Sequence, residues 1–377
     1  MTPTLSIVTP SYNQARFLPR AIESVLAQEP SPLEYWVMDG GSTDGSVEVL
    51  RSYGERLQSV SEPDRGQSHA INKGFARCTG DVIAWLNSDD TYLDGAFDAA
   101  LRIFADRPDV VLVYGRGEIL DAEDRPVGPF HGLEPFQLWR LLHGLDYILQ
   151  PATFFRRSAF VELGGLDEDL HYAMDWDLWI RLASIGEVAF LDRPLACSRE
   201  YADTKTSTGG LRRLRELGRL ARRNTGTFWT PGIQLYGLDT AERWLRARAP
   251  RLEKRLAPLF RRRMAAIQEG MPVHADGWFG PRGALTVPRR WRRAEVEVEA
   301  MTVPSSGGFE VRFEFASRDI GRLAIHSPGR YLCTFDIPPG QGPFCDIRVE
   351  SGHAFRPDPA TGDRRVLSVL CRAVRPA

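Results

Sequence analysis

Val37-Met38-Asp39-Gly40-Gly41-Ser42-Thr43-Asp44-Gly45-Ser46 decides the fold of this chain, together with Ile83-Ala84-Trp85-Leu86-Asn87-Ser88-Asp89-Asp90-Thr91-Tyr92 about fifty residues later. Each begins as a short apolar run that reads as a buried parallel strand, then breaks into small, polar, turn-forming residues. Open α/β sheets bind ligands at that carboxyl edge. Carboxylates there, beside a loop rich in Gly and Ser, suit a metal ion and a phosphorylated ligand. Leu5-Ser6-Ile7-Val8-Thr9-Pro10-Ser11-Tyr12-Asn13 supplies a third strand of the same kind.

Working outward, strand patterns at 5–9, 33–39, 58–62, 82–87 and 110–114 alternate with helix patterns at 17–27, 46–53, 68–78 and 96–106. That alternation predicts a mostly parallel sheet covered by helices. No GxGxxG turn follows the first strand, which argues against a dinucleotide-binding dehydrogenase. Beyond Gln150 come a strand, a turn at Gly164-Gly165 and a Trp-rich helix from Met174 to Ile185. Residues 211–266 read as helical, interrupted at 225–237. Past Gly270, period-two segments such as Glu295-Val296-Glu297-Val298-Glu299 and Phe309-Glu310-Val311-Arg312-Phe313 predict an antiparallel β-sandwich. The expected domains are therefore 1–207, a basic helical linker at 208–272, and a sandwich at 273–377.

At 377 residues, 43% hydrophobic and 26% charged, the chain has the make-up of a globular protein with two or three domains. A net charge of −1 gives no reason to expect nucleic acid as a partner. The balance hides an asymmetry, with fifteen Lys or Arg against four Asp or Glu between 211 and 263. The five cysteines are scattered, without metal-ligand spacing, which fits a reducing compartment. No apolar run approaches the ~20 residues needed to span a bilayer, so a cytoplasmic location is expected.

Over residues 4–206 the chain resembles the family 2 glycosyltransferases of the GT-A fold. The resemblance rests on Ser6–Asn13, Asp39–Ser46, Ser68-His69-Ala70-Ile71-Asn72-Lys73-Gly74, Ser88-Asp89-Asp90 and Met174-Asp175-Trp176-Asp177, in that order. It implies transfer of a sugar from a nucleotide diphosphate to an acceptor hydroxyl. Asp39 then reads the edge of the base, usually uracil, with Pro10, Tyr12 and Asn13 framing the nucleoside. Gly40, Ser42 and Asn72 join the donor-binding set, and Arg65 replaces a diphosphate-binding Arg whose usual position is Ile71. Asp90 is expected on a Mn²⁺ or Mg²⁺ ion and Asp89 nearer the ribose or donor sugar. Asp175 is the expected general base of an inverting displacement. Gln150 and His171 are further candidates for sugar contacts. Asn87, Met174 and Tyr201 depart from the pattern: the resemblance implies an Asp often at the first place, an acidic residue usually at the second, and in some relatives a metal-binding His near the third.

Simpler readings stand beside these. Asp39 also suits a turn cap, Asp89-Asp90 a helix N-cap, Arg65 a solvated surface, and Trp176 and Trp179 the core. The basic stretch suits either a solvated helix or docking on an anionic membrane face. Trp278, Phe279 and Trp291 suggest a sugar-binding or a purely structural sandwich. The expected function is an inverting, metal-dependent glycosyltransferase acting on a glycan or lipid-linked acceptor in bacterial surface polysaccharide synthesis, peripheral to the inner face of the membrane. The competing reading is a non-catalytic glycan-binding or scaffold protein.

Overall fold

The computed structural model describes residues 2–130, 135–201, 204–205, 209–357, 360, 363 and 365–377. They divide into two compact units, residues 1–136 with 147–216 and residues 137–146 with 217–377.

The first unit is an α/β sheet. In chain order its elements are β1 (Leu5–Ser11), α1 (Leu18–Leu26), β2 (Glu34–Asp39), α2 (Ser46–Ser52), β3 (Gln58–Ser61), α3 (Gln67–Phe75), β4 (Val82–Trp85), β5 (Thr91–Tyr92), α4 (Ala96–Asp106), β6 (Val110–Leu120) and β7 (Pro126–Pro129). After α5 (Leu138–His143), which groups with the second unit, come β8 (Thr153–Arg156), α6 (Arg157–Glu162), α7 (Met174–Ile185) and β9 (Glu187–Arg199). The strand order is β3-β2-β1-β4-β8-β6-β9-β5, with β7 on β6. β1, β2, β3 and β4 run parallel, as do β6 and β9.

All seven residues of β1 and all four of β4 are buried, as expected for strands covered on both faces. Helix α1 buries Leu18, Ala21, Ile22 and Val25, one stripe at helical spacing. Helix α3 lies so close to β1 that a Cβ on Gly74 would stand 2.5 Å from Val8 Cγ1. Trp179 of α7 stacks on Trp85 of β4 with ring centroids 5.5 Å apart, so Trp179 is core, and Trp176 is buried as well.

Strand β9 was not expected. Its thirteen residues carry Asp192-Arg193-Pro194 in mid-strand, and its pairing with β6 shifts register around Gly115 and Arg116. A charged, proline-bearing interruption erases the strand pattern.

The second unit continues through α8 (Gly210–Thr225, whose first residues belong to the first unit), α9 (Pro231–Arg248) and α10 (Pro250–Glu269). Residues 231–237, expected as part of a break, lie inside α9, opened by Thr230, whose Oγ1 accepts the Ile233 N–H. The rest is β10 (Arg282–Pro288), β11 (Arg293–Ala300), β12 (Phe309–Phe315), β13 (Arg318–Ile325), β14 (Gly329–Asp336), β15 (Phe344–Ser351) and β16 (Leu370–Pro376). They form two antiparallel sheets, β10-β15-β12-β13 and β14-β11-β16, over one core. Ala294, Val296, Val298 and Ala300 of β11 point into it. Phe279 is buried and Trp291 packs on the same core, so neither is the open sugar platform the sequence suggested.

Candidate active site

The loops after β1 and β2 are clasped together. Asn13 adopts a left-handed φ of 53°. Its N–H donates to Ser42 Oγ at 2.7 Å, and its Oδ1 accepts the Thr43 N–H at 2.9 Å. Asp39, at the end of β2, is 1% exposed. Its Oδ2 accepts the N–H groups of Gly41 and Ser42 and the Ser61 hydroxyl, and its Oδ1 accepts the Ser42 hydroxyl at 2.5 Å. The carboxylate thus caps this turn; a lone pair on Oδ1 remains for a base edge.

Above it, two side chains close over Gly40: a Cβ there would stand 2.7 Å from Asp64 Oδ2 and 3.3 Å from the Tyr12 ring. Pro10 is buried at the end of β1, whereas Tyr12 is 64% exposed, a free face for a planar ring. Asp64 therefore joins the cleft, which sequence reasoning missed. The only signal was the turn Pro63-Asp64-Arg65-Gly66, where Asp64 Oδ1 accepts the Gly66 N–H.

Two expected donor contacts are engaged elsewhere. Asn72 spends its amide on the loop before α7, donating to Leu166 O and Glu168 Oε1 and accepting the Leu166 N–H. Arg65 is exposed and paired with Glu168 at 2.5 Å. In this arrangement both side chains hold that loop rather than face the cleft.

Asp89 and Asp90 follow β4. Asp90 is 4% exposed; its Oδ1 accepts the Arg199 N–H at 3.0 Å and its Oδ2 accepts from Asn87 Nδ2 at 3.0 Å. Burial, and then the neighbouring Asp89, push its carboxyl up to about 7. Asp89 is half-buried and also held above the usual range by burial, against the Tyr201 hydroxyl and Arg199. Its Oδ2 accepts from Tyr201 Oη at 3.0 Å, the one side-chain donor to this carboxylate among the described residues. Arg199, buried at the end of β9, donates to the backbone oxygens of Asp89 and Asp121. It too was invisible in the sequence, as a lone Arg in an unrecognised strand.

Asp175 stands in the first turn of α7 with its Oδ1 on the Trp176 N–H at 2.8 Å. Burial raises its carboxyl above the ordinary range; that N–H, then Lys205 and Arg213, act the other way. Glu216, on the first turns of α8, accepts the N–H groups of Tyr172 and Ala173 at 2.5 and 2.8 Å. It thereby supplies the side-chain cap that the N-cap residue Ala173 cannot, beside the two acids of the helix's own first turn. Asp177 is buried and paired with Arg181 at 2.7 Å, so it is not an acceptor-side group. His171 is exposed against Tyr172.

A chain of amides joins the two sides. Lys205 Nζ donates to Gln67 Oε1 (2.9 Å), Gln67 Nε2 to Asn87 Oδ1 (2.7 Å), and Asn87 Nδ2 to both Asp90 and Gln150 Oε1 (2.9 Å). Gln150 is fixed in turn by donating to Trp85 O.

No group of three or more His, Cys, Asp or Glu converges among the described residues. Mg²⁺ and similar hard cations are nonetheless held by one or two carboxylates plus substrate phosphates. Here two adjacent carboxylates are raised by burial, and neither side chain is ion-paired to a described Lys or Arg. The donor set fits a divalent cation.

The sequence profile described as Glycosyl transferase family 2 matches residues 6–164. An uncharacterized glycosyltransferase of Rickettsia typhi is 30% identical over 230 residues, 57% of this chain and 69% of the relative. An O-antigen biosynthesis protein of Myxococcus xanthus is 30% identical over 216 residues, 55% of this chain but 16% of that protein. Among solved structures, S. aureus TarS 1-349 in complex with UDP-GlcNAc superimposes with a TM-score of 0.49 at 14% identity, covering 71% of this chain and 80% of that one.

Proposed function

The chain belongs to glycosyl transferase family 2, and we propose that it is an inverting enzyme that takes a sugar from a nucleotide diphosphate, with a UDP-sugar as first choice. The observation that carries this reading is the amide chain from Lys205 through Gln67 and Asn87 to Asp90, which ties the neighbourhood of Asp175 to the acidic edge.

Tyr12, Asn13, Asp39 and Asp64 hold the nucleoside, with Asp39 Oδ1 or Asp64 accepting the imide N–H. A Mn²⁺ or Mg²⁺ ion on the acidic edge supplies Lewis-acid neutralisation of the leaving diphosphate. Sequence reasoning put Asp90 on that ion; the hydrogen bonding favours Asp89, which is half-buried and takes one side-chain donor, with Asp90, held on both oxygens, as its buried support. Asp175 takes the proton of the acceptor hydroxyl as its oxygen bonds to the anomeric carbon. The bond from that carbon to the diphosphate oxygen breaks on the opposite face, which inverts configuration. The acceptor is a glycan or lipid-linked hydroxyl, and the similarity to an O-antigen biosynthesis protein supports surface polysaccharide as the product.

The test is a panel of nucleotide sugars incubated with the full chain, following nucleotide release with and without Mn²⁺. Release from one UDP-sugar, stimulated by the metal, is expected. Equal release after chelation would overturn the metal requirement, and preference for a guanine nucleotide the donor assignment.

A further inference from the structure

Helices α9 and α10 form a hairpin that turns at Ala249 and Pro250, and it leaves large apolar side chains in solvent. Trp244 is 53% exposed, Leu252 46% and Leu259 64%. Leu252, Arg255, Leu259 and Arg262 follow one another at spacings of three, four and three residues, which sets them along one face of α10. Trp244 lies in the last turns of α9 with the Arg248 guanidinium 5.1 Å from its ring.

Charge on this hairpin is split. Arg243 and Arg246 of α9 are paired with Asp239, Glu242 and Glu253. Arg251, Lys254, Arg255, Arg262 and Arg263 of α10 are all exposed, and none is ion-paired to another described residue. Glu253 is the one buried residue of that helix. Unlike α10, α8 turns its apolar residues Leu217, Leu220 and Ala221 inward, leaving only Leu211 prominently exposed.

We propose that the α9–α10 hairpin is a docking surface for an anionic lipid bilayer, lying in the interface with Trp244, Leu252 and Leu259 at the level of the upper acyl chains. Arginine and lysine stems reach along apolar surface while their heads stay with phosphate groups. Trp prefers the same interfacial depth. A nucleic acid would satisfy the cations but gain nothing from exposed leucines. A second copy of the chain would bring two sets of five unpaired cations together. A lipid surface satisfies both halves of the stripe. No helix among the described residues is long and apolar enough to cross a membrane, so the mode of contact is to lie on the surface. The inference is independent of the donor chemistry.

The experiment is co-sedimentation of the full chain with phosphatidylcholine vesicles, with and without phosphatidylglycerol, across a salt series. Binding only to the anionic vesicles is expected, with release near about 1 M salt, where the screening length falls to ~3 Å. Removing Arg255 and Arg262 as R255Q and R262Q lowers partitioning about five-fold each. L252S with L259S lowers it roughly ten-fold while leaving every charge in place, and the melting temperature of these surface variants stays that of the parent. Three results would overturn the proposal: no vesicle binding, binding that the serine pair leaves untouched, or self-association that those serines abolish in the absence of lipid. A fourth, tight binding to single-stranded DNA that survives the serine pair, would reassign the surface to nucleic acid.

Discussion

Asn87 donates its amide to the buried carboxylate of Asp90, 3.0 Å away. An aspartate there would face Asp90 with lone pairs only, and it would also lose the donor to Gln150. Asn87→Asp should therefore lower stability by about 2 kcal/mol, the cost of leaving buried acceptors unpaired beside a like charge. Urea denaturation of the unliganded chain reads this directly. An unchanged midpoint would mean that the amide is dispensable and that Asn87 is a neutral departure.

Asp175 and Asp177 sit two residues apart on one helix and should fail in different ways. Asp175→Asn keeps shape but removes basicity, so turnover should fall by a factor of order 10²–10⁴ while nucleotide affinity holds. Asp177→Asn breaks the buried pair with Arg181 and should cost about 3–5 kcal/mol of stability. Kinetics and chemical denaturation on both variants separate the two roles. An Asp175 variant with near-parental turnover would show the base to be elsewhere.

Lys205 should control the pH at which Asp175 works. Among the described residues, Arg213 and Glu216 are the charged groups that act on Asp175 or Lys205, and His171 beside them is held toward its neutral form by burial and by Lys205. Burial favours neutral Asp175, and Lys205 favours the ionised form that can accept a proton. Removing the cation in Lys205→Met raises the carboxyl further, so the acid limb of the pH–turnover profile should move to higher pH by about one unit. Activity lost near neutrality should return at alkaline pH, and Lys205→Arg should keep the parental acid limb. A loss equal at every pH would mark Lys205 as structural only.

Metal dependence should follow Asp89. Calorimetry with UDP and Mn²⁺ should show a gain in affinity that chelation removes and that Asp89→Asn abolishes. If only Asp90→Asn abolished it, with folding intact, the ligand would be Asp90 as the sequence suggested.

Much of this architecture was legible because it is local. The buried runs of β1 and β4, the stripe of α1 and the alternation in β11 are periodic signals that need no tertiary context. The motifs around Asp39, Asp89 and Asp175 were equally readable. What escaped is what depends on chain closure. Gln67 matters because Lys205 lies on one side and Asn87 on the other. Glu216 matters because α8 brings it under the start of α7. Asp64 was passed over because its role appears only where Gly40 and Tyr12 meet it. The departures at Met174 and Tyr201 also acquire partners, Met174 in Ser68 and Tyr201 in Asp89.

Residues 137–146 group with the C-terminal unit, and Trp139 among them is part of the sandwich core. Gene dissection would therefore go wrong in an instructive way. A fragment stopped at 207 loses Glu216, the cap on the helix of Asp175. One stopped at 216 keeps that cap but leaves α5, which buries Leu138, Trp139, Leu141 and Leu142 in the whole chain, without the core that receives Trp139. Such a fragment should clump, because a contiguous apolar patch without its cover drives association. For breeding chimaeras with other transferases, the heritable module is discontinuous: ten residues in the middle of the catalytic gene segment travel with the C-terminal exon-sized piece, and recombination that ignores them should yield insoluble offspring.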